Sequence, residues 1–157
     1  RVDGWKILQA LSGDIRPQMV EALRRCKATF RVACITNNMK AGEGPGMARS
    51  PEKATAVAEI LSLFEHVVES SKVGLRKPDP AIYLLSAKRL GVEPSACLYV
   101  GDGSYGELRG ATEVGMTAVL VRDPAEAEGT YLRPEVEPWD GTTVPSIADV
   151  VAFVGPG

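Results

Sequence analysis

CLYVGDGSYGELRGATEVGMTAVLV, residues 97–121, holds one complete repeat of an alternating fold. An apolar run (Cys97, Leu98, Tyr99, Val100) stops at Gly101-Asp102-Gly103, a helical pattern follows, and a second apolar run over 117–121 closes the unit. That order is strand, turn, helix, strand. Strands without polar alternation are expected to be buried on both faces, as in a parallel sheet covered by helices. Asp102 then falls at the carboxyl end of a strand, where open α/β sheets place their ligands. Flanked by two glycines that admit a close approach to the backbone, its carboxylate is a candidate metal ligand. Asp and Gly are also common turn residues, so a purely structural turn is the competing reading. Glu107 divides in the same way, because Ser104 and Glu107 match the Ser-x-x-Glu capping box at a helix start.

The 157 residues are 45% hydrophobic and 24% charged, which suits one globular domain with a real core. The net charge is −2 and the basic residues are scattered, so neither nucleic acid nor an anionic membrane is an expected partner. Cys26, Cys34 and Cys97 lack CxxC spacing and read as buried free thiols. A reducing, cytoplasmic location is expected. No apolar run approaches the ~18–20 residues of a membrane span. The first residues, Arg1-Val2-Asp3-Gly4-Trp5, carry no initiator methionine, and the chain is expected to continue something longer.

Trp5, Ile7, Leu8 and Leu11 are spaced for one face of a short helix, and Pro17 suits the first turn of a helix to about residue 27, with Met19, Val20, Leu23 and Cys26 facing the core. Residues 31–35 are a second apolar run with a polar tip, Thr36-Asn37-Asn38, which reads either as a site or as a turn. A glycine-rich loop follows over 39–49, and Ser50-Pro51 opens a helix to about residue 64. His66 to Glu69 is a short strand whose lone histidine belongs at a strand edge. Residues 71–80, SKVGLRKPDP, read as a loop, with Asp79-Pro80 starting a helix that Gly91 closes. Lys77 projects from that loop, either solvated or functional. After residue 121 a Pro- and Glu-rich excursion leads to a last helix over 147–154, capped by Ser146.

Alternating strands and helices predict an α/β fold, a doubly wound, Rossmann-like parallel sheet. Right-handed crossovers bring the strands' carboxyl ends to one edge. Thr36, Lys77 and Asp102 meet there: a hydroxyl, a cation and a carboxylate. The trio suits a phosphate with a divalent cation, since hydroxyl and lysine bind phosphoryl oxygens and a carboxylate holds Mg²⁺.

Ile35-Thr36-Asn37-Asn38, the segment over 68–83 with Lys77-Pro78-Asp79-Pro80, and Val100-Gly101-Asp102 with Glu107 resemble, in order, motifs II, III and IV of haloacid dehalogenase-like hydrolases. The resemblance is nearest the subgroup containing the phosphatase domain of soluble epoxide hydrolase. It implies Mg²⁺-dependent hydrolysis of a small phosphorylated substrate through an aspartyl-phosphate. Thr36 with the Asn37 backbone amide would hold a phosphoryl oxygen, and Lys77 would neutralise charge on nucleophile and phosphate. Asp102, with Glu107 at the second acidic position, would bind the metal.

Motif I is missing, because no Asp-x-Asp occurs among the 157 residues. The nucleophile and the general acid/base are therefore expected to lie outside this chain, on the family's central first strand, together with most of the cap. Residues 1–13 read as the tail of a cap or a linker, and 14–157 as the core. The chain alone is expected to be inactive, with exposed strand edges that make it marginal, self-associating or completed by a second polypeptide. A haloacid dehalogenase-type hydrolase, a non-catalytic binding or scaffolding module on the same fold, and a Rossmann-type nucleotide site at Gly101-Asp102-Gly103 are the alternatives. The last fails the full GxGxxG pattern.

Overall fold

The structure, a computed structural model, describes residues 15–38, 51–122 and 138–154. The expected helix over 5–11, the glycine-rich loop over 39–49, the Ser50 cap and most of the Pro- and Glu-rich excursion lie outside the described residues.

Pro17 stands at the first turn of α1 (Pro17–Thr29), where its missing N–H is no loss. The chain then runs β1 (Ala33–Thr36), α2 (Pro51–Leu61), β2 (His66–Glu69), α3 (Ser70–Val73), α4 (Pro80–Leu90), a 3₁₀ turn (Pro94–Ala96), β3 (Leu98–Gly101), α5 (Glu107–Glu113), β4 (Thr117–Val121), β5 (Thr143–Val144) and α6 (Ile147–Val154). The α4 boundaries follow from chemistry: the Asp79 carboxylate accepts from the Ala81 amide at 2.9 Å, and Gly91 ends the helix at φ 66°.

Among the described residues all strand pairs are parallel. β1 pairs with β2 from Ala33 opposite His66 to Thr36 opposite Glu69. β3 pairs with β4 from Leu98 opposite Thr117 to Gly101 opposite Leu120, and β4 with β5 at Leu120 and Val121. Side chains alternate across the second sheet. Ala118, Leu120 and Tyr99 face a core shared with Val68, Ile82, Tyr83, Ala87, Leu108 and Ala111, whereas Val119, Val121, Leu98 and Val100 face Val144, Ile147 and Val150. Helices α4 and α5 thus cover one face and α6, with α1 packed on it, the other. This is the expected doubly wound α/β arrangement.

Among the described residues no strand joins β1 to β3, so the two sheets stay separate. The expectation that the apolar strands are buried holds for the run 117–121, which is β4, and is corrected for β1 and β3. Every residue of β1 and of β3 is half-buried, whereas Ala118, Val119 and Leu120 of β4, flanked on both sides, are buried. A strand paired along one edge leaves the other open to solvent.

Smaller differences have local causes. In α1 only Ala22 is buried, and the predicted core face of Met19, Val20, Leu23 and Cys26 is half-buried, because that helix packs on α6 at the outside of the molecule. The predicted loop over 71–80 contains a helical turn, α3, stopped by Gly74 at φ 72°. The two-residue β5 is too short to leave a periodic signal. His66 sits on β2 at a sheet edge as expected, with Nε2 3.0 Å from Ser86 Oγ and its pKa lowered by burial.

Candidate active site

The tip of β1 is built into the segments that follow β2. Asn37 grips the lysine backbone twice: its Oδ1 accepts from Lys77 N at 2.9 Å and its Nδ2 donates to Lys77 O at 3.0 Å. Asn38 Oδ1 accepts from the Ser71 amide at 3.1 Å, its Nδ2 donates to Glu69 Oε1 at 3.0 Å, and its own amide donates to Ser70 Oγ at 3.0 Å. A side-chain amide has both donor and acceptor, so it can clasp a peptide unit as a strand neighbour would. Thr36, half-buried, is the last residue of β1 immediately before this clasp. The Lys77-Pro78 peptide is cis.

From that anchored backbone the Lys77 side chain reaches the loop after β3. Its Nζ donates to Glu107 Oε2 at 2.7 Å and to Tyr99 Oη at 3.3 Å, and Tyr99 Oη in turn donates to Glu107 Oε2 at 2.7 Å. Glu107 Oε1 accepts from the Gly103 amide at 3.2 Å. The ion pair is largely withdrawn from water, with side-chain exposures of 16% for Lys77 and 6% for Glu107. Burial, then the charge and hydrogen bond of Glu107, push the Tyr99 phenol far above its usual range, so it remains a donor. Burial likewise raises the Cys34 thiol against the pull of Lys77, which disfavours a thiolate nucleophile on β1.

The loop itself explains why glycines are needed here. A Cβ on Gly101 would collide with Glu107 Oε1, and Gly103 and Gly106 hold φ of 82° and 71°. These conformations turn the Gly103 amide toward Glu107. Asp102 lies exposed at the carboxyl end of β3, and its Oδ1 accepts from the Ser104 amide at 3.0 Å.

Of the residues predicted from sequence, Asn37, Lys77 and Glu107 are joined by direct hydrogen bonds, and Thr36 and Asp102 adjoin the two ends of that chain. The capping box is not formed. The Ser104 amide is taken by Asp102, and the Glu107 carboxylate reaches the Gly103 amide instead. No cluster of three or more His, Cys, Asp or Glu side chains suited to a metal occurs among the described residues. Asp102 nonetheless offers the hard oxygen that a Mg²⁺ ion takes, one or two protein carboxylates sufficing when phosphate and water supply the rest. Two site features escaped the sequence. The Asn37 amide clasp looks like a turn residue, and Tyr99 looks like one more apolar strand position.

Comparison with known proteins gives the family. The model of the haloacid dehalogenase-like hydrolases matches residues 4–115. A glyceraldehyde 3-phosphate phosphatase of Methanopyrus kandleri is 39% identical over 86 residues, covering 55% of this chain and 34% of that protein. The bifunctional epoxide hydrolase 2 of Sus scrofa is 32% identical over 108 residues, covering 68% of this chain and 18% of that protein. The chain therefore spans about a third or less of the length of these relatives. In fold, the crystal structure of a HAD phosphatase from Thermococcus onnurineus superposes with a TM-score of 0.65 at 23% identity, over 98% of this chain and 65% of that one. The match over residues 4–115 and the shared parallel α/β architecture lead to one conclusion: this chain belongs to the haloacid dehalogenase-like hydrolases.

Proposed function

We propose that this chain supplies the phosphate- and metal-binding side of a phosphomonoester hydrolase whose nucleophile comes from a strand outside these 157 residues. The observation that carries the reading is the lysine. Lys77 is held by its backbone to the tip of β1 and by its ammonium to the loop that bears Asp102, so one cation sits between the carboxyl ends of two strands. Phosphoryl transfer depends mainly on such positioning and charge neutralisation.

In this reading Thr36 and the Asn37 amide hold phosphoryl oxygens, Lys77 offsets charge on nucleophile and phosphate, and Asp102 would hold Mg²⁺, whose charge, when bound, favours ionised phosphate oxygens. Glu107 serves Lys77 rather than the metal, since its two oxygens already accept three donors. An incoming aspartate attacks phosphorus, the ester P–O bond breaks, and the alcohol leaves with a proton from a second acid on the same strand. Water then cleaves the aspartyl-phosphate to aspartate and phosphate. Among the described residues β1 and β3 each pair along one edge only, which supports this placement, because a strand between them would unite both sheets. The substrate is a small phosphorylated molecule, the location is cytoplasmic, and the completing strand comes from a longer form of the chain or from a second polypeptide.

The test is hydrolysis by the chain extended with an Asp-x-Asp strand, given p-nitrophenyl phosphate or 2-chloropropionate, with Mg²⁺ or with EDTA. Turnover of the phosphate ester that requires Mg²⁺ and disappears in Asp102→Asn is expected. Metal-independent release of chloride would replace this reading with dehalogenation, and inactivity toward both would favour a non-catalytic module.

A further inference from the structure

We propose that Tyr99 is a positioning residue: its hydroxyl fixes the Glu107 carboxylate and thereby holds the Lys77 ammonium at the strand ends. The setting of Tyr99 separates this role from simple core filling. Its ring faces the α4 and α5 side of the sheet, where it meets Tyr83 edge-on at 5.3 Å between centroids. The Tyr83 hydroxyl is occupied elsewhere, donating to the Glu107 backbone oxygen at 2.8 Å. Tyr99 alone of this aromatic pair turns its oxygen to the ion pair.

A single hydroxyl has one proton to give and lone pairs to receive. Tyr99 uses both, donating to Glu107 Oε2 at 2.7 Å and accepting from Lys77 Nζ at 3.3 Å, which closes a three-membered ring of contacts. Each leg involves a charged group, and hydrogen bonds of that kind are the stronger ones. Without the hydroxyl, Oε2 keeps only the lysine, and the carboxylate is restrained from the other side by one amide, Gly103 N at 3.2 Å. A lysine on a flexible four-carbon stem, paired with a carboxylate free to rotate, samples several positions. In phosphoryl transfer a misplacement of about 1 Å costs up to roughly a hundredfold in rate.

The assignment of a rate effect rests on the phosphatase reading, but the positioning does not, so the two are tested apart. The probe for positioning is the ¹H–¹⁵N signal of the Lys77 ammonium in the labelled 157-residue chain, identified by its absence in Lys77→Met. A lysine ammonium locked in hydrogen bonds exchanges slowly enough to be seen. Tyr99→Phe removes one oxygen and keeps the ring, whereas Tyr83→Phe removes the neighbouring buried hydroxyl without touching the carboxylate. The signal is expected to persist in Tyr83→Phe and to disappear in Tyr99→Phe and Glu107→Gln, with backbone spectra retained. In the extended, active form Tyr99→Phe is expected to lower kcat at least tenfold with KM changed less than threefold. A Lys77 signal unaltered in Tyr99→Phe, or lost equally in Tyr83→Phe, overturns the proposal. If that signal behaves as expected and no phosphatase activity is found, the positioning stands and the phosphatase reading fails.

Discussion

Glu107 is the residue on which the site turns, because its carboxylate accepts a cation, a phenol and a backbone amide while only 6% of its side chain is exposed. Removing the two ends of the ion pair is therefore unequal. Glu107→Ala strands a lysine and two further donors, and loss of one partner of a buried pair costs about 3–5 kcal/mol. Lys77→Met leaves Glu107 with the phenol and the Gly103 amide and places a flexible apolar chain in the same channel. Urea unfolding is expected to show Glu107→Ala clearly the less stable of the two, and equal or reversed stabilities would contradict the description of the cluster. Residue chemistry was legible in the sequence where type and position were both unusual. Lys77 between a loop and Pro78, and Asp102 after an apolar strand, could be singled out. The Asn37 clasp and the Tyr99 hydroxyl could not, since their meaning depends on partners 40 and 8 residues away.

At the scale of elements, the site depends on how closely α5 approaches the loop that carries Lys77. Gly110 of α5 lies where a Cβ would collide with the Pro78 backbone oxygen and press on the Tyr83 ring. Gly110→Ala would gain about 1 kcal/mol of helix propensity in isolation. Overpacking against a backbone atom costs about 1–3 kcal/mol and has no flexible end to yield. Thermal unfolding is expected to show a net loss of stability, and a stabilised variant would mean that α5 and the loop stand farther apart than described. Elements with strong end signals were readable in advance. Asp79-Pro80 and Gly91 bound α4, and 117–121 and 147–154 proved to be β4 and α6. The turn α3 and the strand β5 were not, because four and two residues are too few to show a period.

For the whole molecule, the pairing pattern was legible and its gap was the informative part. Apolar runs predicted buried parallel strands, yet β1 and β3 stay half-buried because each has a neighbour on one side only among the described residues. The absence of Asp-x-Asp from the 157 residues points to the same place. In the proposed reading, one strand lying between β1 and β3 would cover both edges and bring a nucleophile beside Lys77 and Asp102. The most direct test compares p-nitrophenyl phosphate hydrolysis, in Mg²⁺, by the 157-residue chain alone and by the chain carrying an added strand with Asp-x-Asp. No turnover is expected from the chain alone, and the extended form is expected to show turnover that vanishes when the first aspartate of the added motif becomes asparagine. Turnover by the chain alone, or turnover by the extended form that survives that change, would contradict it.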